Sequence, residues 1–371
     1  MKATPTRRGA VMAVFAALIL FTLVNVALVL HRPEPDLVYV PPAPIAAYVE
    51  AVSAVDSLRT YGDGRWVRSF RGPDGTIYLR DRVMSRDGGF TLEPQTGVDV
   101  EPLNIKPERV VLVDGDLVYG SNGRLQMVTA GVYRIPTWTS HDGLETIVAD
   151  SATVYVPEGT AYVRRPHEWH GMWVFGNIVE ARDGAWLMTM YGNFESDTLE
   201  PLHLKPGAAV IAQQRSFLVR SEDEGRTWRY LSTIAAPKPG DPVGEGFVEP
   251  TMVRLDDGRL LAVMRTGHHF PLYASWSEDD GATWSEPTWT GLGHGCDPSL
   301  IKLSDGRVAL AWGNRFPPGW SRIGERHDAE RFEYPGTGTV NLALSSDGGR
   351  TWTSQPIAQN AGSCYATILE V

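Results

Sequence analysis

Glu249, Asp297 and Phe175 each stand nine residues before the glycine of an Asp-Gly pair. Arg265, Gly313, Tyr191 and Arg82 each stand seven residues after such a glycine. Tyr365 joins the first group, because Cys364-Tyr365-Ala366 aligns with Cys296-Asp297-Pro298 and Val248-Glu249-Pro250. These residue types suit acid–base and anion-binding chemistry. A phenol titrates near pH 10, so it becomes a useful nucleophile only beside a base. Glu249 fits that role for Tyr365. Arginine stays charged and grips a carboxylate through parallel N–H bonds. Glu, Asp, Tyr and Arg recurring at two positions describe a polar pocket, not a core.

The positions recur because the chain repeats. Ser-x-Asp-x-Gly-x-Thr-Trp appears at Ser221–Trp228, Ser277–Trp284 and Ser345–Trp352. Ser85–Leu92 is a copy with Leu for Trp, and Ser140–Thr146 is a decayed one. Each is a hairpin turn: Asp accepts local backbone bonds, Gly supplies positive φ, and Trp packs beneath. Upstream, Glu249–Arg265 and Asp297–Gly313 align without a gap, with looser versions at Phe175–Tyr191, Asp74–Arg82 and Glu108–Gly120. Each reads strand, Asp-Gly turn, strand. Adding the strands beside the Ser-x-Asp turn gives a four-stranded antiparallel meander. The Ser-to-Ser spacings are 55, 81, 56 and 68 residues, a period that suits propeller blades. The fold class is therefore all-β, a six-bladed β-propeller with an incomplete last blade. Five blades are recognisable and Ser363–Val371 opens a sixth. Either residues 36–60 help close the ring or the sequence stops short, and the latter is favoured. Residues that open the inner strands cluster about the central axis, and those that end the second strands reach the same mouth.

These repeats resemble the Asp-boxes of sialidases (neuraminidases), and Glu249–Arg265 is similar to the strand pair that bears a catalytic Glu and an Arg in that family. The likeness covers about residues 60–371. It implies a six-bladed propeller and removal of terminal sialic acid, or a related acidic sugar, from sialoglycoconjugates. Sialic acid carries a carboxylate on its anomeric carbon. That group repels a carboxylate nucleophile, so the family attacks with Tyr and retains configuration. Carried over, Tyr365 attacks, Glu249 activates it and Arg265 holds the substrate carboxylate. Asp197 is the expected acid, with Asp297 as its rival. Tyr133-Arg134-Ile135-Pro136 matches the motif of another clamp Arg, yet its register places Arg134 on a third strand. No Arg stands near Thr339, where the family has its third, so Arg315, Arg322 or Arg331 would supply it from a loop. Arg82 and Tyr191 complete the expected binding surface. No cofactor and no metal are implied. Asp-boxes also occur in non-catalytic propellers, so a glycan-binding or scaffolding module and an enzyme for another sugar stay open.

The chain has 371 residues, a net charge of −10 and 43% hydrophobic residues. A packed core is feasible, and a nucleic-acid binder relying on a broad basic surface is excluded. Ala10–Leu30 is uncharged and as a helix spans about 31 Å, a bilayer core. Lys2, Arg7 and Arg8 precede it, so the tail at residues 1–9 stays cytoplasmic and the remainder crosses. A cleaved signal peptide is the competing reading. Residues 31–60 form a Pro-rich spacer, with a short helix at Ala47–Leu58, and 61–371 form one propeller outside the cytoplasm. His167-Glu168-Trp169-His170 lacks the zinc-protease spacing. His268, His269 and His294 fall near the mouth, where substrate contact or a loop surface is favoured over a metal site. Cys296 and Cys364 fall at one ring position in adjacent blades; an oxidising compartment permits a bridge, but the separation of neighbouring blades works against it.

Overall fold

A computed structural model describes residues 69–71, 74–79, 83–88, 91, 93–94, 101–106, 109–113, 126–140, 148–159, 172–200, 212–241, 243–267, 271–293, 295–314, 339–359 and 366–370. All regular structure among them is strand. The first unit is β1 (Ser69–Arg71), β2 (Ile77–Leu79), β3 (Val83–Ser85) and β4 (Glu93–Pro94), paired in sequence order. The second holds β5 (Glu101–Lys106), β6 (Arg109–Val113), β7 (Gln126–Thr129), β8 (Val132–Ser140) and β9 (Val148–Tyr155). Its order is β5-β6-β8-β9, with β7 on β8. The third is β10 (Met172–Glu180), β11 (Trp186–Gly192), β12 (Arg215–Ser221) and β13 (Thr227–Ala235). The fourth is β14 (Val248–Arg254), β15 (Leu260–Arg265), β16 (Tyr273–Ser277) and β17 (Thr288–Trp289). The fifth is β18 (Cys296–Lys302), β19 (Val308–Asn314), β20 (Thr339–Ser345) and β21 (Thr353–Gln359).

The first, third, fourth and fifth units are antiparallel meanders, the second departs from one only in that β6 and β7 both pair β8, and the inner strands β10, β14 and β18 lie side by side. The architecture is propeller-like. The second and third units also fuse through a short parallel pairing of β9 with β13, Thr153 opposite Thr227, into one curled nine-stranded sheet.

The stacking follows from period-2 alternation. Trp186, Met188 and Met190 of β11 pack with Tyr133, Ile135 and Val154 of the second unit, while Leu187 faces the fourth. On β15, Leu260, Ala262 and Met264 turn to the third unit, and Leu261 and Val263 to the fifth. Both faces of these strands are covered, so they read as unbroken apolar runs. Each large side chain contributes about 1.5–3 kcal/mol on burial.

The Ser-x-Asp turns share one bonding scheme. In the third unit the Thr227 N–H (2.8 Å) and hydroxyl (2.7 Å) donate to the two Asp223 oxygens. The Ser221 hydroxyl accepts from Gly225 N–H at 2.8 Å and donates to Asp223 at 2.9 Å. Trp228 is fully buried, its indole donating to Gly225 O at 3.0 Å. Asp279 and Asp347 repeat the scheme with Thr283 and Thr351. Burial is the largest single influence on Asp223 and pushes its carboxyl up, but the donated bonds together outweigh it and hold the group below its ordinary value.

Two expectations change. The strand, Asp-Gly turn, strand reading of Glu108–Gly120 gives way, because β6 is flanked on one edge by β5 and on the other by β8. No edge of β6 is left for a partner beyond the Asp-Gly turn, and residues 114–125 lie outside the described residues. The segment Ala366–Glu370 packs on the fifth unit as an inner strand would, with Ile368 N–H donating to Ser299 Oγ at 3.3 Å and the Glu370 carboxylate accepting from Ser304. It forms no ladder with a described strand.

Among the described residues no helix is long and apolar enough to cross a membrane. The expected anchor at Ala10–Leu30, the spacer, the Ala47–Leu58 helix and the decayed turn after Ser140 lie outside them.

Candidate functional site

The inner strands of the third, fourth and fifth units bulge at one repeated place: between Val174 and Ile178, Val248 and Thr251, and Cys296 and Ser299. A bulge re-aims side chains that a regular strand would alternate between faces. At it, Glu249 has φ 47° and Asp297 has φ 48°. Left-handed backbone costs an L-residue with a side chain roughly 1–2 kcal/mol. Two acidic residues bear that cost at equivalent positions of adjacent units. In the third unit the left-handed residue is Gly176, φ 85°, where a Cβ would sit 2.8 Å from Pro250 O of the next inner strand. Thr189 closes that seam by donating to Phe175 O and, at 3.0 Å, to Pro250 O. The next seam is held by Leu300 N–H donating to Thr251 Oγ1 at 3.3 Å.

Glu249 is buried, and both its oxygens are engaged. Oε1 accepts from Arg265 Nη1 at 2.6 Å, and Oε2 accepts from the Asp297 N–H at 2.8 Å. The strand register produces the first bond, since Val248 stands opposite Arg265. Arg265 is itself 4% exposed and reaches a second carboxylate, Nη2 donating to Glu245 Oε2 at 3.2 Å. The Glu245 loop is fixed through its backbone: Glu245 N–H donates to Thr266 O at 3.2 Å, and Gln214 N–H donates to Glu245 O at 2.8 Å. Gly246, φ 88°, lies so close to Gln214 that a Cβ would be 2.1 Å from its carbonyl oxygen.

Glu249, Asp297 and Arg265 thus come together as their repeat positions predict. Tyr191, next to the last residue of β11, stands at the matching place, stacks on Trp173 with ring centroids 5.1 Å apart, and makes an edge contact with Phe175. Asp197 stands apart from that group. Its carboxylate accepts from Arg215 Nε at 3.0 Å, from Arg215 Nη2, and from Phe194 N–H at 2.8 Å. Arg215 in turn covers the Phe194 ring at 4.4 Å. Arg134 is exposed on β8, a third strand rather than an inner one. Tyr365, Arg82, Arg315, Arg322 and Arg331 lie outside the described residues, as do Cys364 and the histidines of the mouth. Cys296 is buried, its thiol donating to Gly313 O at 3.3 Å.

Two parts of the site escaped the sequence reading. One is Glu245, four residues before Glu249, whose signal is the glycine on each side of it. The other is a buried amide group beside its loop: Asn193 donates to Ala212 O at 3.2 Å, and Gln213 Nε2 donates to Val243 O at 2.9 Å. No three metal-ligating side chains gather among the described residues. Glu245 and Glu249 share the guanidinium of Arg265, and the Asp297 N–H binds Glu249. Such an arrangement holds the Glu249 carboxylate rigidly, as a proton acceptor requires.

No functionally curated protein matches the sequence. Among solved structures, a protein of unknown function from Dyadobacter fermentans is 17% identical over 78% of this chain and 82% of its own, with a TM-score of 0.49. The Hadza microbial sialidase Hz136 is 15% identical over 79% of this chain and 59% of its own, with a TM-score of 0.48. A GH43 β-1,3-galactosidase is 12% identical over 78% of this chain and 79% of its own, with a TM-score of 0.42. Residues 170–369, the stretch that carries the three full Ser-x-Asp turns and the Glu249–Arg265 pair, match the BNR repeat-like domain. With more than half of its length matched, the chain belongs to the BNR repeat-like domain family.

Proposed function

We propose that this protein is a glycoside hydrolase that releases a terminal acidic sugar, sialic acid or a close relative, with retention of configuration. The observation that carries this reading is the pair of acidic residues at left-handed bulges of adjacent inner strands, with Arg265 bound to one of them. Strained backbone at equivalent positions marks a place where side-chain direction matters more than local stability. In the proposed reaction the Tyr365 oxygen attacks the anomeric carbon and its proton passes to Glu249. Arg265 holds the sugar carboxylate. Asp297, whose N–H binds Glu249, serves as the acid that protonates the leaving oxygen, with Asp197 as the alternative. Water then cleaves the tyrosyl–sugar bond, with Glu249 returning the proton to Tyr365 and the acid residue acting as base. The ring has six units, and residues 10–30 anchor it outside the cytoplasm.

A second reading, a glycosidase for a neutral sugar, is favoured by one feature: among the described residues, two carboxylates already bind the Arg265 guanidinium. Hydrolysis of fluorogenic aryl sialosides and aryl galactosides by the full-length chain separates the two. The first reading expects sialoside turnover that Tyr365→Phe and Glu249→Gln each lower by at least about a hundredfold, the scale of lost acid–base catalysis. Equal turnover by Tyr365→Phe removes the nucleophile. Galactoside turnover with the sialoside inert transfers the case to the second reading.

A further inference from the structure

The two carboxylates on Arg265 are not equivalent. Glu249 binds at 2.6 Å, is 8% exposed and is fixed again by the Asp297 N–H. Glu245 binds at 3.2 Å and is 25% exposed. Its backbone is held at both the N–H and the carbonyl, so its side chain can leave the arginine without moving the loop. A carboxylate grips a guanidinium best through two N–H groups along one edge. Glu249 takes Nη1, so an incoming anion and Glu245 compete for Nη2.

We propose that Glu245 is the resting occupant of the anion position on Arg265, a gate that a substrate carboxylate displaces. This rests on the acidic-sugar reading above. Exchange of one carboxylate for another leaves the charge around Arg265 unchanged, and the displaced Glu245 is already close enough to solvent to be hydrated. A neutral sugar brings no such replacement and binds with Glu245 still on the arginine. The gate therefore weakens every acidic ligand by a fixed factor and leaves unaffected a neutral one, which does not compete for Nη2. It also reconciles an acid-rich mouth with an anionic substrate.

The test is calorimetric titration of the full-length chain with N-acetylneuraminic acid and with its methyl ester, for wild type, Glu245→Gln and Glu245→Asp. Glu245→Gln removes the competing charge, and Glu245→Asp keeps it but shortens its reach. Both variants are expected to bind the acid at least about fivefold more tightly, the lower end of coupling between competing groups. The ester is expected to show no change. Acid binding that is equal or weaker in both variants, with wild type still binding, overturns the gate and leaves the acidic-sugar reading standing. Tighter binding of the ester as well overturns the gate in favour of an effect that does not depend on the ligand's charge. Folded proteins that bind neither ligand overturn both.

Discussion

Replacing Glu249 by Ala leaves the Arg265 guanidinium, 5% exposed in its side chain, without its 2.6 Å partner. Removing one member of a buried pair costs about 3–5 kcal/mol, because the other charge stays desolvated. Glu245 remains at 3.2 Å and a quarter exposed, so part of the charge is still answered and the low end applies, about 3 kcal/mol. The left-handed φ of 47° adds a second signature. Alanine carries a Cβ and keeps the backbone strain; glycine relieves it, worth roughly 1 kcal/mol. Glu249→Gly should therefore be more stable than Glu249→Ala by about that amount, the reverse of the order expected in an ordinary strand. Urea unfolding of the full-length chain, followed by tryptophan fluorescence, measures both. Glu245→Ala gives the control and should cost about 1 kcal/mol or less, as partly exposed pairs do. A loss below about 1 kcal/mol for Glu249→Ala would refute the buried pair. Ala and Gly variants of equal stability would refute the strained bulge.

Three further outcomes follow from the packing. Trp228→Ala empties a fully buried position between the second and third units and should cost about 3–5 kcal/mol in the same unfolding assay; a loss near zero would mean the indole is not in that seam. Gly246→Ala drives a Cβ into the Gln214 carbonyl at a φ of 88°, a strain of about 1–3 kcal/mol, and should open the Glu245 loop to limited proteolysis, whereas an unchanged cleavage pattern counts against the close approach. Asp223, Asp279 and Asp347 are each held below the ordinary carboxylate value: burial is the largest influence and pushes each up, but the bonds from the Thr and Ser of its turn together outweigh it. As pH falls, the unfolded chain therefore takes up protons at these sites first, near pH 4. Stability from these turns is complete above that pH and is lost as pH falls through the lower native values. The urea midpoint should decline between about pH 5 and 3, and Asp279→Asn should flatten that decline; a midpoint rising toward pH 3 would contradict the assignment.

Much of this was legible in the sequence because it is local. The Ser-x-Asp turn closes within eight residues through its own side chains, so its copies announced the units they belong to. The aligned strand pairs placed Glu249, Asp297 and Arg265 at one level, and the register of Val248 against Arg265 agrees. The Tyr133–Pro136 motif, read by its distance from the following turn, put Arg134 on a third strand, where it stands. The same logic misread Glu108–Gly120, because an apolar run beside Asp-Gly looks like half of a hairpin whichever neighbour it pairs with.

What each side chain touches across units belongs to the tertiary structure. Asp197 reads as a loop carboxylate near a strand end, and only folding brings Arg215, eighteen residues later, onto it. Glu245 carries no repeat signal at all; its place on Arg265 comes from a loop pinned between Gln214 and Thr266. The parallel junction of β9 with β13 has no counterpart in the repeat. The sequence by itself determined the third, fourth and fifth units, their order and the residues at the bulges of their inner strands, since period-2 alternation and turn chemistry act over a few residues. The tertiary structure alone decided the bulges, the left-handed φ of Glu249 and Asp297, and the sharing of one guanidinium by two carboxylates, because these depend on how closely separate units approach.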